Sequence, residues 1–463
     1  MAGIGFKLQN LIKSDSLLSS LKAYSYSALI SSGPWIYSLL SFIVISFFIT
    51  ADLNMNKIFQ AIIIYVFAFS QIIAGFFQLI TTRIISDYIY SGRFEMISAY
   101  YLRSLAFLFP ILTIIGAFFF GMSCPDIPCA VITTFLFIIM GGVWQQLIIL
   151  TACRDFKAIS SKFAGGFFIA VTVSIMLGSS FGLAFYFLGF TLGVLYIFWQ
   201  MHLEILNEFP FQKWPDSSEE KKIIIKYRSL FLTGLFFNLA VWIDKILFWY
   251  LGGGKVCGLL YENSVYDRLN LIFVAILIPV MALFTLKIET NFYVKFRNFY
   301  KAITEKESLD YIEMNFDSMK KSIIKGAQSV LKITVPMAFF IIIFSEQIMT
   351  ILKLSADYRA NWTAFTFGAV FHSFFLLTMI LLMYFDFLKE TLACVCIFLA
   401  SNFTINLLGI LLFGNKFMGF GYAASTAVSL AAAVMIFRKC FDDILYYSFE
   451  RERIPDEIIL KIK

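Results

Sequence analysis

Twelve apolar segments, each long enough to cross a lipid bilayer, alternate with short polar loops along the 463-residue chain. A membrane-spanning helix needs about 20 mostly apolar residues, because the bilayer core offers no hydrogen-bond partner to a free backbone N–H or C=O group. The sequence therefore predicts an all-α integral membrane protein with about twelve transmembrane helices. The predicted spans are 24–49, 58–80, 103–122, 128–151, 161–178, 181–203, 229–251, 264–286, 329–352, 361–385, 391–413 and 417–438.

The positive charges of the loops predict how the chain is oriented, because cytoplasmic loops carry an excess of Lys and Arg. Of the 37 Lys and Arg residues, 30 lie in or next to the two tails and the even-numbered loops, whereas the opposite loops hold five. We call the membrane face with the 30 residues the basic side, and the other face the opposite side. We predict that the basic side is cytoplasmic and contains both termini. These loops also account for the net charge of +7, which therefore gives no reason to expect a nucleic-acid partner.

A polar segment near the middle of the chain separates six predicted spans from six others. Two equal bundles joined by a cytoplasmic linker are the usual plan of a secondary transporter built from repeats. We therefore predict two six-helix bundles around a central cavity, preceded by a short amphipathic helix on the membrane surface. The predicted parts are the amphipathic segment 1–22, the N-terminal bundle 23–203, the linker 204–228, the C-terminal bundle 229–440 and the cytoplasmic tail 441–463.

A second polar segment, residues 287–328, interrupts the C-terminal bundle on the basic side. Its apolar residues recur every three or four positions, which predicts two amphipathic helices. Two interpretations are open: an extension of a span together with a helix lying on the membrane, or a docking face for a partner protein. The candidate docking residues are Phe292, Phe296, Phe299 and Phe316.

Several predicted spans carry polar side chains along one helical face. Such residues either hydrogen-bond neighbouring helices or line a cavity. Because several spans share the pattern, we predict a polar central cavity of mostly uncharged amides, hydroxyls and indoles. These groups suit a sugar, since they bind its hydroxyls and cover the apolar face of its ring. The predicted cavity residues are Ser31, Trp35, Gln71, Gln78, Asn238, Trp242, Lys245, Trp249, Asn402 and Asn406.

Four charged residues lie inside the seventh and eighth spans. An ionised side chain raises the free energy strongly in the membrane interior, so its presence there suggests a function. They are Asp244, Lys245, Asp267 and Arg268. In antiparallel neighbouring helices, Asp244 could pair with Arg268, and Lys245 with Asp267. The group is either a closed outer gate or stability network, or a charge ring or proton-linked gate that opens with the outward-facing state.

Enzyme and metal chemistry find little support in the sequence. The chain has only two histidines, His202 and His372, and they lie on different spans, so we predict no metal site and no cofactor. The longest predicted segment outside the membrane is residues 287–328, which leaves no room for a soluble catalytic domain. We therefore predict a protein that is not an enzyme.

Short motifs in a fixed order carry a resemblance to a known family. They are MAGIGFKL at 1–8, SGPW at 32–35, Arg83 followed by SDYIY at 86–90, RDFKAI at 154–159, IPVMALF at 278–284, IETNFY at 288–293 and DDILYYSF at 442–449. Each motif is weak by itself, but their order and spacing make the set specific. Over essentially its whole length the chain resembles the PelG family of the MOP flippase superfamily, the membrane transporters of the Pel exopolysaccharide machinery.

This resemblance implies export of a growing amino-sugar polymer across the bacterial inner membrane by a multi-pass protein. It also implies three partners: a cytosolic family 4-type glycosyltransferase (PelF-like), a cyclic-di-GMP receptor (PelD-like) and a PelE-like membrane protein. Two alternatives are a flippase for lipid-linked oligosaccharides and a membrane scaffold for the polysaccharide synthase. A basic cluster deep in the cavity would favour a pyrophosphate-linked lipid, and only Lys245 is a clear candidate for one.

Overall fold

The computed structural model of the chain describes residues 33–34, 36–49, 53–153, 156–212, 214, 224–283 and 291–451. Within these ranges, eleven helices are long and apolar enough to cross a membrane. A shorter apolar helix, Ile36–Phe48, occupies the end of the predicted first span, whose beginning lies outside the described residues. The prediction of an all-helical membrane protein is therefore confirmed.

The first bundle contains the helices that match the first six predicted spans. Large aromatic residues such as Phe137, Phe163 and Phe190 are fully buried in its hydrophobic core, while the lipid-exposed length of each helix stays apolar. The helices are α1 (Ile36–Phe48), α2 (Leu53–Tyr90), α3 (Glu95–Ser123), α4 (Ile127–Cys153), α5 (Phe156–Phe181) and α6 (Leu183–Glu208).

The second bundle has a hydrophobic core of its own, with fully buried residues such as Phe365, Phe375 and Phe398. Two separate cores explain why the chain forms two bundles rather than one. The elements are α7 (Arg228–Gly252), β1 (Gly254–Cys257), β2 (Leu260–Glu262), α8 (Ser264–Leu283), α9 (Tyr293–Thr304), α10 (Leu309–Ile343), α11 (Ser345–Ile351), α12 (Arg359–Tyr384), α13 (Leu388–Phe413), α14 (Phe420–Asp442) and α15 (Ile444–Arg451).

Helices α2 and α7 join the two bundles. They run antiparallel, and residue pairs from Tyr65–Trp249 at one end to Arg83–Tyr227 at the other are in contact. At the centre the backbones come so close that a Cβ on Gly234 would lie 2.1 Å from the carbonyl oxygen of Gly75. Small residues permit this kind of approach between membrane helices.

A short antiparallel β-hairpin, β1–β2, connects α7 and α8 on the opposite side. Leu260 of the hairpin is fully buried in the core of the first bundle. The hydroxyl of Tyr65 in α2 donates a hydrogen bond of 3.1 Å to the carbonyl of Tyr261. The hairpin therefore reaches across from the second bundle and closes this end of the interface.

The polar segment 287–328 is helical where it is described. Helix α10 begins at Leu309, well before the predicted ninth span at 329–352. This result agrees with the interpretation in which the segment contains an extension of a span. Helix α9 packs beside that extension, as the 5.7 Å distance between the rings of Phe299 and Phe316 shows.

The four phenylalanines predicted as docking contacts pack against their own bundle instead. Phe292 and Phe299 are buried, and Phe296 and Phe316 are partly buried against the same core. Phe316 stacks on Phe441 with 5.3 Å between ring centroids. The apolar face of an amphipathic helix is stabilised by burial wherever a core is available, and in this structure Phe292 and Phe299 are not exposed to a partner.

We expect Gly234→Ala to destabilise the protein by about 1–3 kcal/mol, because the new methyl group meets the Gly75 backbone, which cannot move aside. The measurement is the thermal unfolding midpoint of the detergent-purified protein. Gly121→Ala is the matched control, since a Cβ there meets nothing within 4 Å. The control should gain about 0.5–1 kcal/mol from helix propensity. Equal shifts for both variants would contradict the close α2–α7 contact.

Candidate functional site

A cavity of about 280 Å³ lies between the two bundles, with walls from α1, α2, α7, β2 and α8. Its first-bundle wall is mostly apolar. Its second-bundle wall is polar and charged, and Trp242 offers an indole there. Its aromatic, polar and charged lining residues include Phe42, Gln60, Phe67, Trp242, Lys245, Glu262, Asp267, Arg268 and Asn270.

The charges on the cavity wall balance. Lys245 and Arg268 contribute two positive charges, and Glu262 and Asp267 two negative charges. Gln60 and Asn270 add uncharged amides that can both donate and accept hydrogen bonds. The cavity therefore combines an aromatic face, amides and paired charges, without an excess of either sign.

Lys245 is held at this wall by a buried ion pair. Its Nζ atom lies 3.3 Å from both carboxylate oxygens of Asp244 and donates a 2.9 Å hydrogen bond to the carbonyl of Val241. Asp244 has no exposed surface, and Lys245 is 4% exposed. The Tyr266 hydroxyl also donates to Asp244. Several partners are needed because an unpaired ion is very unfavourable at this depth.

The predicted cavity residues Asn402 and Asn406 lie behind the ion pair, inside the second bundle. Asn402 donates to the carbonyl of Ala240 at 2.8 Å and accepts from Ser425 at 2.9 Å. Asn406 donates to Asn402 at 2.7 Å. Both asparagines have no exposed surface. In this structure they support α7 from the side away from the cavity.

The predicted exchange of ion pairs between α7 and α8 does not form. Asp267 accepts a 2.9 Å hydrogen bond from the indole of Trp249. Arg268 donates to the carbonyls of Leu352 and Lys353 at 3.2 and 3.0 Å. That pairing is therefore wrong, because Asp244 points into its own bundle while Arg268 reaches a helix end that offers free carbonyls.

The amides of the α2–α7 contact pair with groups on the facing helix. Asn238 donates to Gln78 at 3.1 Å, and Trp242 donates to Gln71 at 3.0 Å. Gln71, Gln78 and Asn238 thus lie on the surface along which the bundles meet. Trp249 packs on Tyr65 at the hairpin end, with 4.8 Å between ring centroids. The predicted cavity residues Ser31 and Trp35 lie outside the described residues.

Sequence reasoning missed an interbundle contact at the basic side. The guanidinium of Arg83 in α2 lies 3.5 Å from the carboxylate of Asp386 and donates a 3.1 Å hydrogen bond to the Tyr227 hydroxyl. Asp386 follows α12 in a left-handed conformation with φ of 61°. We call the Arg83–Asp386–Tyr227 group the inner clamp. A loop carboxylate has no periodic pattern, so nothing in the sequence connects it to Arg83.

A buried polar network in the first bundle was also missed. Gln146 donates to the Tyr101 hydroxyl at 2.7 Å, and that hydroxyl lies 2.7 Å from Nδ1 of His202. Gln145 donates to Thr81, also at 2.7 Å. The adjacent glutamines in α4 were the available signal, since amides in an apolar span need partners. No cluster of three His, Cys, Asp or Glu suited to a metal occurs among the described residues.

Two helical bundles that enclose a polar cavity at their interface define a membrane transporter of the secondary type. The model of the family described as "PelG: Putative exopolysaccharide Exporter (EPS-E)" matches residues 1–449. The chain belongs to this family, which confirms the resemblance read from the motifs. Among curated proteins, no sequence matches the chain.

Solved structures of the MOP superfamily share the fold. One is a transporter from Pyrococcus furiosus whose binding pocket is described as having reverse polarity, with 14% identity, a TM-score of 0.65, and coverage of 92% of this chain and 96% of that one. A MATE transporter in a bent conformation has 13% identity and a TM-score of 0.65, and the match covers 93% of this chain and 96% of that one. An outward-facing multidrug resistance MATE transporter has 13% identity and a TM-score of 0.64, covering 92% and 96%.

We expect Asp244→Asn to destabilise the protein by about 3–5 kcal/mol, because it leaves the Lys245 ammonium buried without its counterion. The double variant Asp244→Asn with Lys245→Met should recover part of this loss. Thermal unfolding measures both. Glu346→Gln is the control, since it breaks a 2.7 Å ion pair with Arg359 whose side chains are 59% and 66% exposed. An exposed pair contributes about 0–1 kcal/mol, so similar losses at both sites would contradict the burial of Asp244.

Proposed function

We propose that the chain exports a Pel-like amino-sugar exopolysaccharide across the bacterial inner membrane while a cytosolic glycosyltransferase extends it. The observation that carries the proposal is the cavity between the bundles, whose wall includes Trp242, Gln60 and Asn270. Aromatic faces and amides are the groups that bind neutral sugar rings and their hydroxyls. The family and the fold both support transport.

The charge of the cavity favours a polymer over a pyrophosphate-linked lipid. A pyrophosphate carries several negative charges and is bound by clusters of Arg and Lys. Here Lys245 is engaged with Asp244, and the same wall carries the carboxylates of Asp267 and Glu262 as well as Arg268. A cavity wall with equal numbers of positive and negative charges binds neither anions nor cations strongly. Weak binding suits a long polymer that must slide through the transporter.

The hydrogen bonds of the α2–α7 contact provide a route for opening. When the bundles separate, Gln71, Gln78 and Asn238 lose the partners that they have in this structure. Sugar hydroxyls can replace those partners, because they donate and accept like the amides. This exchange lowers the free-energy cost of opening only when substrate is present. The same side chains therefore close the empty transporter and line the open one.

The charged residues have different roles in this proposal. The buried Asp244–Lys245 pair keeps α7 rigid and holds Lys245 at the cavity wall. Asp267 and Arg268 secure the opposite-side end of the cavity by contacts to Trp249 and to the end of the α10–α11 region. With the β1–β2 hairpin they form the outer gate. In this proposal, extension of the polymer on the basic side drives its movement through the transporter.

We propose that the glycosyltransferase binds the exposed basic face of α9 and α10, with the PelD-like receptor and the PelE-like protein as membrane partners. Because Phe292, Phe296, Phe299 and Phe316 pack against the bundle, charged side chains lie on the exposed surface of these helices, basic ones on α9 and both signs on α10. Exposed basic residues on it are Lys295, Arg297, Lys301, Lys320 and Lys321.

Removal of the gene tests export. We expect surface polymer to vanish while the glycosyltransferase remains present and active, measured by polymer staining and by immunoblot with an activity assay. Loss of the transferase as well would instead support the scaffold alternative.

Within the chain, Trp242→Ala should lower polymer output about three- to tenfold at equal protein level, as expected for the loss of one aromatic contact. Trp199→Ala, at a 54% exposed indole, is the matched control and should leave output unchanged.

Charge reversal tests the docking face. We expect Lys295→Glu with Arg297→Glu to reduce copurification of the glycosyltransferase at least tenfold, because both side chains are exposed and make the face basic. Lys416→Glu reverses a charge on the opposite side and should have no effect. If the double variant copurifies as much transferase as the unmodified chain does, this face is not the docking surface.

A further inference from the structure

A pocket of about 200 Å³ opens on the basic side, where α9, the α12–α13 turn and α15 meet. Aromatic rings form most of its wall, and the carboxylate of Asp386, the hydroxyl of Ser448 and the side chain of Ile444 complete it. The residues that matter here are Phe296, Tyr300, Tyr384, Phe387, Asp386 and Ser448. Its volume is below the roughly 300 Å³ at which pockets begin to hold drug-sized ligands. It therefore has room for one small ring.

The aromatic rings make a rigid apolar platform. Phe296 packs against Tyr300 with 4.7 Å between ring centroids and against Tyr384 with 5.8 Å. All three side chains are only partly buried although they are packed together. Because their neighbours hold the rings in place, a ligand that stacks on them loses little side-chain entropy on the protein side.

Two polar atoms at the pocket lack hydrogen-bond partners among the residues that the structure describes. Ser448 is 7% exposed, and its hydroxyl has no partner. Oδ1 of Asp386 accepts no hydrogen bond, although it lies 3.5 Å from Arg83. Buried polar atoms in native proteins nearly always find a partner. An acceptor and a hydroxyl without protein partners in one small pocket can therefore both bind a ligand with hydroxyl groups.

The pocket adjoins the interface between the bundles. Asp386 lines the pocket and also belongs to the inner clamp, through its contact with Arg83. It has a left-handed backbone with φ of 61° without being glycine. Such a conformation is unfavourable for most residues and is often found at functional sites. A ligand in the pocket would touch the same carboxylate that connects the bundles.

We propose that this pocket, lined by Phe296, Tyr300, Tyr384, Asp386 and Ser448, binds one sugar unit of the polymer before it passes between the bundles. The inference rests on the proposed export function. The sugar ring stacks on the aromatic platform, one hydroxyl donates to Asp386, and another accepts from Ser448. Because a hydrogen bond donated to Asp386 draws negative charge away from its carboxylate, occupancy of the pocket weakens the ion pair with Arg83 and favours opening on the basic side.

A cationic side chain from a partner protein fits the same pocket less well. Arg83 already places a positive charge 3.5 Å from Asp386 and would repel a second cation. An ammonium or guanidinium group also has no acceptor to offer the Ser448 hydroxyl. A sugar hydroxyl is neutral and can both donate and accept, so it satisfies both atoms.

Photo-crosslinking in cells tests the proposal with the full chain in its membrane. Benzoylphenylalanine replaces Tyr300 in a tagged chain, and the control replaces Tyr311, which is 45% exposed on α10 outside the pocket. After irradiation the chain is purified under denaturing conditions and probed for carbohydrate and for added protein mass. We expect a carbohydrate adduct at position 300 that a polymer-degrading glycosidase removes. It should be absent at position 311 and in cells without the glycosyltransferase.

A second variant tests the role of the carboxylate. Asp386→Asn removes the charge, while asparagine tolerates the left-handed backbone conformation as aspartate does. It should lower the adduct at position 300 at least threefold at equal protein level. A discrete protein adduct at position 300 with no carbohydrate adduct would overturn the proposal in favour of a protein docking site. No adduct there while secretion continues would also overturn it and leave the export function intact. The export function itself fails only if the gene deletion leaves surface polymer unchanged.

Discussion

The close contact between α2 and α7 is the constraint on which the rest of the structure depends. Gly75 and Gly234 let the two backbones meet near the centre, and the amides on either side then fall within hydrogen-bond distance of each other. A bulkier residue at either glycine would separate the helices and lose those bonds. Three other features depend on this distance between the bundles: the cavity, the closure by the hairpin and the inner clamp. Each of them is built from residues of both bundles.

The buried ion pair illustrates how the second bundle positions its functional wall. Asp244 is surrounded by Tyr266 and Asn402, and Lys245 extends from it to the cavity. Unpaired, either charge would be strongly unfavourable in the membrane interior. Asn402 and Asn406 of α13, which the sequence predicts to line the cavity, support this pair from behind instead. These asparagines hold α7 in place, and α7 places Trp242 and Lys245 on the cavity wall.

Much of the candidate site could be predicted, and the errors have a common physical origin. Helical periodicity correctly indicated that Trp242 and Lys245 share a face of α7. It could not distinguish a face turned to a cavity from one turned to a neighbouring helix, so Asn402 and Asn406 were placed on the wrong side. The same ambiguity made Phe292 and Phe299 look like docking contacts although they are core residues. Asp386 lay in a turn without any period and was not identified at all.

The sequence by itself determined the membrane-spanning helices that the structure describes, and the family. Apolar length and motif order are local properties, and the bilayer requires each span to satisfy its own backbone. Only the tertiary structure decided which polar groups meet: Trp242 with Gln71, Arg83 with Asp386, and the hairpin with Tyr65. These pairs are separated by more than a hundred residues, and their contact depends on how two bundles pack against each other. No local pattern encodes that arrangement.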